Sequence, residues 1–400
     1  MQTLTKILGT VCCIILCLHV SMLALNLGNI YYAVLILCLV VLLALVLIPQ
    51  LRLRLSVISS MLYLATLISV LLNDIPFYFK PEERLLAFIL VTSLIGPLIK
   101  NPLFYHFRWY LYRYLSFSLV LLVVVSFLGI AIGIPNMIGR GGYSGLFNHS
   151  MMLGPMAALA MLVTLRWYFI AVDRRQKLIF IILTFFCFIT CVATGSRSAL
   201  LGGIAGLLFF LYKTNQGNMV KYARVIVTIF VFGILTFPIW EPYTGRLSEK
   251  MEYTADEGSL TATRDLLWKS RVDEFLTSPL YGIGFASIDP ILTTHGFDKE
   301  TGTIEPGSSW LVALSMTGLL GFVILIILLG LNLRFIIYSH DSQASLALIG
   351  SFLSFFIVHM MAEGYIFSAG SGLFFLFWLM LGVCDDYRYT SKLITNLNTL

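Results

Sequence analysis

Two short polar turns hold residue types that bind phosphate. Thr194-Gly-Ser-Arg-Ser198 places Arg197 between two hydroxyls, just where an apolar run resumes. If that run is a helix, its first turn offers free backbone N–H groups and the positive end of the helix dipole. A cation there is unfavourable unless an anion joins it. The N–H groups, the serine hydroxyls and the guanidinium are together the parts of a phosphate site. The plainer reading is that Arg197 snorkels to lipid headgroups. Gly139-Arg-Gly-Gly-Tyr-Ser-Gly145 carries Arg140 among glycines that either let backbone approach a ligand or simply turn the chain. Arg246 and Arg264 follow in a long polar stretch, where a lone arginine is ordinarily just solvated.

Carboxylates stand near the same segments. Glu305 precedes Pro306-Gly307 at the mouth of an apolar run, and Glu363 closes another, with His359 one helical turn before it on the same face. An ionisable group at membrane depth points to function. The competing reading is a structural ion pair between Glu363 and an arginine. Either glutamate has the chemistry of a proton acceptor. His295 sits in a polar loop and reads as surface. Cys187 and Cys191 are one turn apart, but no second ligand pair accompanies them, so buried packing explains them. None of the seven cysteines lies in a long polar loop, which argues against a disulfide framework.

The elements that must position these groups follow from composition. The 400 residues are 59% hydrophobic and 12% charged, against about 45–50% and about 25% in soluble domains. A water-soluble enzyme, a disordered chain and a nucleic-acid binder are excluded. A spanning helix needs ~20 apolar residues. Twelve such runs lie near 7–25, 30–48, 55–72, 85–99, 115–134, 151–165, 178–194, 199–212, 225–240, 309–333, 344–362 and 368–384. The first resembles a signal peptide but has no small-x-small cleavage site, so it reads as a retained helix.

Lysine and arginine alternate in density from loop to loop. One set of ends carries 16 of them, while the short loops of the other set carry Lys80, Arg84, Arg140 and Arg197. The richer set is cytoplasmic. The expected fold is an all-α integral membrane protein with about 12 transmembrane helices and both termini cytoplasmic. Residues 1–400 form one polytopic domain, and 241–307 form a large outer loop between spans nine and ten. Within that loop 261–277 has helical character, with Arg264, Trp268, Arg271 and Phe275 on one face. Pro279 stops it, and Gly282 and Gly284 turn the chain. The net charge of +6 then divides into a positive inner face and an acidic outer one. It reports topology rather than an acidic partner.

Several of these segments, in this order, resemble the O-antigen ligase and polymerase superfamily: Gly145-Leu-Phe-Asn-His-Ser-Met-Met-Leu-Gly154, Thr194-Gly-Ser-Arg197, Ser-Leu-Thr-Ala-Thr-Arg264 with Trp268, Ser278-Pro-Leu-Tyr-Gly-Ile-Gly284, and Gly307-Ser-Ser-Trp-Leu311 with Gly318-Leu-Leu-Gly321. The resemblance covers about 140–330. It implies a GT-C-like fold in the bacterial inner membrane with its active site facing the periplasm. It implies a metal-independent glycosyltransferase with no cofactor, acting on polyprenyl-pyrophosphate-linked glycans among membrane lipids. A chain-length regulator and a flippase are the implied partners. On this pattern Arg197 and Arg264 would hold the pyrophosphate, and of the remaining outer arginines Arg140 or Arg246 would assist. A base would deprotonate the acceptor hydroxyl.

One departure bears on the reaction. Ligases of this superfamily often have His-Asn where Gly307-Ser308 stands here. The ligase-type histidine base is therefore in doubt, and Glu305 or Glu363 takes its place. That favours a polymerase of lipid-linked repeats over a ligase to lipid A core, and the Glu305-Pro-Gly-Ser-Ser-Trp310 form is similar to exopolysaccharide polymerases. A transporter or flippase is the reading from a different class. Against it stand the absence of half-to-half similarity and the nearly charge-free spans.

Overall fold

A computed structural model describes residues 2–21, 27–48, 53–134, 137–139, 142–256, 262–293, 296–339 and 343–398. Its helices are α1 Gln2–Val20, α2 Gly28–Leu47, α3 Val57–Leu71, α4 Pro81–Ile95, α5 Pro102–Ile132, α6 Ser150–Ile170, α7 Arg174–Ala193, α8 Arg197–Thr214, α9 Met219–Leu235, α10 Phe237–Trp240, α11 Gly245–Asp256, α12 Ala262–Thr277, α13 Ser309–Tyr338, α14 Gln343–His359 and α15 Gly372–Asn398. Two antiparallel ribbons of two-residue strands complete it. β1 Arg54–Leu55 pairs with β2 Ile99–Lys100, and β3 Ile138–Gly139 pairs with β4 Gly142–Tyr143.

Each of the twelve apolar runs overlaps a helix, the run at 225–240 being divided between α9 and α10, and the helix expected over 261–277 is α12. Residue 261 lies outside the described residues. By length and composition six helices can cross a membrane, or seven if Met219–Leu235 and Phe237–Tyr243, bent by 59°, make one span. Val57–Leu71 and Ala344–His359 are apolar but shorter. These are the helices of a multi-pass membrane protein.

A large departure from the expected boundaries is the start of α5, at Pro102 rather than near 115. Pro102 suits a first helical turn, where its missing N–H costs nothing. The Asn101 side chain caps the turn by accepting from Leu103 N at 2.9 Å. Hydropathy passes over this segment because Arg108 lies in it. That arginine is nonetheless fully buried. Its Nε and Nη2 donate to Asp386 at 2.8 and 2.5 Å, and its other N–H groups donate to the Gly96 and Ile99 carbonyls. A buried charge so completely paired ties α5 to α15.

Small residues set the position of α8. A side chain at Gly202 would meet Phe355 of α14, and one at Gly206 would meet Leu162 of α6 and the Ser351 carbonyl. Such residues let helix backbones approach closely where van der Waals contact, not water, drives association. Wedged between α6 and α14, α8 holds its N-terminal turn, and so Arg197, in a fixed place.

The segment Ser278–Gly284 is threaded into a break in α13. Gly318 adopts φ +60° inside the helix. The broken turn frees backbone groups, and the loop supplies their partners: Ile283 N donates to Ser315 O at 2.9 Å, Leu319 N to Pro279 O at 2.8 Å and Leu320 N to Leu280 O at 3.1 Å. Gly282, at φ +78°, lies against the Met316 carbonyl with no room for a side chain. This interlock fixes the far end of α12 to α13.

Candidate active site

The site grows from the two ends of the outer loop. Trp268 of α12 donates its Nε1–H to the Gly307 carbonyl at 3.3 Å. The bare Gly307 lets Leu267 and Trp268 lie against the start of α13. The next residues bind the end of α14. Ser308 Oγ donates to Met360 O at 3.2 Å, Ser309 Oγ to Glu363 O at 2.7 Å, and Trp310 Nε1 to Ile357 O at 3.0 Å. Ser309 Oγ also accepts from Tyr365 N at 2.9 Å. The Gly307-Ser-Ser-Trp segment is thus a clasp that brings both Glu305 and Glu363 to Arg264 of α12.

Arg264 lies between them. Its Nη1 reaches Glu305 Oε1 at 3.0 Å and its Nη2 reaches Glu363 Oε1 at 2.9 Å. The Arg264 side chain is 16% exposed, Glu363 21% and Glu305 61%. Burial pushes the Glu363 carboxyl up to about 7, against the opposing pull of Arg264. The expectation that Glu363 sits one turn above His359 on a shared helix face is corrected. The helix ends at His359, and Glu363 lies in the turn beyond it. His359 is fully buried, its Nδ1 3.1 Å from the Tyr365 hydroxyl.

Arg197 opens α8, as expected. Ser196 caps the helix, accepting from Ala199 N at 3.4 Å, and Ser196 and Ser198 Oγ are 3.4 Å apart. Gly195 has φ +64°, and a side chain there would strike Arg246 of α11. The bare turn therefore lets α11 approach. Gly154 lies against Thr194 and Ser196, and Gly142 lies against the Thr194 carbonyl. The Gly-rich segment ahead of α6 thus packs on the Arg197 turn. Arg140 itself, and His295, lie outside the described residues.

Lys250, which the sequence analysis does not single out, joins the groups together. Its Nζ donates to the Gly195 carbonyl at 3.0 Å. Burial lowers its pKa, and the positive charges of Arg197, Arg246 and Arg264 lower it further, while Glu363 opposes them. Arg197, Arg246, Arg264 and Glu363 therefore all lie within electrostatic reach of one ammonium. Arg246 is half exposed and pairs with Glu249 at 3.0 Å. The signal available in the sequence was the spacing of Arg246 and Lys250, one turn apart on one helix. Among the described residues, four cations, Arg197, Arg246, Lys250 and Arg264, gather with the carboxylates of Glu249, Glu305 and Glu363.

Beyond Pro306 a cavity of about 300 Å³ opens, its walls including Tyr32, Arg84, Val312, Met316 and Phe367. Arg84 is anchored there, donating to the Gly302 and Ala286 carbonyls. Among the described residues no group of three or more His, Cys, Asp or Glu side chains gathers in a way that could hold a metal ion. All seven cysteines are free thiols, and Cys187 and Cys191 are buried.

Residues 179–326 match the family model described as O-antigen ligase. The match runs from α7 into α13 and so contains Arg197, Arg246, Lys250, Arg264 and Glu305. It agrees with the resemblance to the O-antigen ligase and polymerase superfamily. Among curated proteins none matches the chain.

Proposed function

We propose, from the O-antigen ligase match and the cation cluster built around Arg264, that this chain is a metal-independent membrane glycosyltransferase. It polymerises polyprenyl-pyrophosphate-linked oligosaccharide repeats at the periplasmic face of the bacterial inner membrane. Twelve crossings with both termini inside would put the cluster on that face. The observation that carries the reading is the Arg264 fork between Glu305 and Glu363, with Arg197, Arg246 and Lys250 beside it.

The chemistry follows from competition for Arg264. Two carboxylates, Glu305 and Glu363, neutralise it. An arriving pyrophosphate is a stronger, bidentate partner for a guanidinium. As it takes Arg264, Glu363 loses the cation that holds its proton affinity down and becomes a better base. The acceptor hydroxyl, from a second lipid-linked repeat in the cavity beyond Pro306, attacks the anomeric carbon. A new C–O bond forms, the bond from that carbon to the pyrophosphate breaks, and the hydroxyl proton passes to Glu363. Polyprenyl pyrophosphate leaves with the electron pair, its charge held by Arg264, Arg197 and Lys250, with Arg246 at the rim and Arg140 from the Gly-rich turn assisting. Glu305 is the more exposed partner and the second candidate base.

A ligase is the second reading, favoured by the match to the O-antigen ligase family model. The test is reconstitution of purified protein with lipid-linked repeats and a chelator, with and without lipid A core as acceptor. Products of increasing repeat number without the core support polymerisation. Transfer only to the core supports ligation. Movement across the bilayer with no covalent product would overturn both.

A further inference from the structure

The cavity beyond Pro306 adjoins the Arg264 fork across a single contact. Pro306 lies against Gly364, with no space for a side chain there, and Glu305 and Glu363 are the residues just before these two. At about 300 Å³ the cavity is at the lower end of small-ligand sites, which run ~300–1,000 Å³. That suits a sugar residue rather than a stretch of glycan.

Its walls are held in place by their own packing. The Tyr32 ring meets Tyr31 edge-on with centroids 5.1 Å apart, Tyr31 stacks on His19 at 4.2 Å, and His19 Nε2 lies 2.8 Å from the Gly370 carbonyl oxygen. Phe367 is held by Phe88 and Phe285, with centroids 5.4 and 5.0 Å away. The polar groups on these walls have bonding capacity left over. The hydroxyls of Tyr32, Ser368 and Ser371 bond to no described residue. Arg84 donates to two neutral carbonyls, those of Ala286 and Gly302, and no described carboxylate pairs with it. Positions 22–26 and 294–295, the nearest in sequence to Tyr32, Ala286 and Thr303 that fall outside the described residues, hold no Asp or Glu. A guanidinium has five N–H donors, so Arg84 keeps donors for a ligand. Tyr32 and Arg84 lie within electrostatic reach of each other. One cation among neutral hydroxyls, beside the apolar faces of Phe367 and Met316, matches a ring with several hydroxyls and one carboxylate. A phosphate monoester, with nearly two negative charges, would be left half neutralised.

We propose that this cavity is the subsite for a carboxylate-bearing sugar, such as a uronic acid, in the acceptor glycan. Arg84 pairs with the carboxylate, and Tyr32, Ser368 and Ser371 bind the ring hydroxyls. That the glycan is the acceptor rests on the proposed reaction, whereas the recognition of an acidic sugar does not.

The test uses the full chain purified in neutral detergent. Binding is followed by saturation-transfer NMR with methyl glucuronide and with methyl glucoside, the same ring without the carboxylate. The glucuronide is expected to bind about 10-fold or more tightly than the glucoside. Arg84→Gln is expected to weaken glucuronide binding about 10- to 100-fold, the scale of hydrogen bonds to a charged group. Ala87→Phe, three residues along α4 on the same wall, fills the cavity with Arg84 in place and is expected to abolish binding of both. Affinities are taken on folded protein only, and Ala87→Phe decides if Arg84→Gln does not fold. Equal affinity for the two glycosides, or unchanged glucuronide affinity in either folded variant, would overturn the proposal. So would displacement of the glucuronide by equal concentrations of inorganic phosphate or phosphatidylglycerol, which would mark a free-phosphate or lipid-headgroup site. These measurements need no turnover. Binding as predicted without any coupling of repeats would therefore count against the proposed reaction and leave this site standing.

Discussion

Arg264 Nη2 lies 2.9 Å from Glu363 Oε1, joining the long polar loop to the turn after α14 across 99 residues of sequence. The same guanidinium holds Glu305 through its other nitrogen. A planar fork can satisfy two carboxylates or one pyrophosphate, and a lysine cannot reproduce that geometry. Arg264→Ala is expected to lower the rate of repeat coupling by about 100-fold or more, the scale of one lost transition-state donor. Arg264→Lys is expected to recover little of it. Initial rates with purified variants check this, and Arg264→Lys at wild-type rate would show that charge alone suffices.

The pH profile separates the two glutamates. Glu363 is pushed up to about 7. A base works only as its carboxylate, so kcat/KM should fall as pH drops through about 7 and level off above it. Glu363→Gln should remove that limb and cost about 10²–10⁴-fold, the usual contribution of a positioned base. Glu305→Gln should keep the limb. The opposite pattern would make Glu305 the base.

Lys250 both holds the Gly195 carbonyl and adds charge beside Arg197. Lys250→Met is expected to lower kcat/KM about 10-fold. Because the two groups share one anion, its effect should not add to that of Arg197→Ala. A double-mutant cycle on kcat/KM measures this, and strict additivity would separate Lys250 from the Arg197 site.

The α13 break should be intolerant of side chains. Gly318→Ala must adopt a left-handed backbone, costing about 1–3 kcal/mol, and its methyl meets the Leu280 backbone. A lower unfolding midpoint and lower folded yield in detergent are expected. Unchanged values would mean that the loop is not locked into the helix.

Much of this was legible in the sequence, for physical reasons. Apolar runs located the helices because lipid requires every backbone group to bond within its own segment. The α12 helix was legible from its face of Arg264, Trp268 and Arg271. The start of α5 was not, because hydropathy cannot see that Arg108 is cancelled by Asp386, 278 residues away. Arg197 and Arg264 were readable as cations in short polar motifs. Lys250 was not, since its burial depends on α11 docking against the bare Gly195 turn. The shared helix face of His359 and Glu363 was misjudged because the sequence does not mark where α14 ends. His359 meets Tyr365 rather than Glu363.

The most direct test of the account is product length. Purified wild type, Arg197→Ala and Arg264→Ala are each incubated with lipid-linked repeats and a chelator, and the glycans are separated by size. The account predicts a ladder of growing chains from the wild type and single unreacted repeats from both variants, with all three proteins equally folded. Ladders of wild-type length and yield from both variants would contradict it.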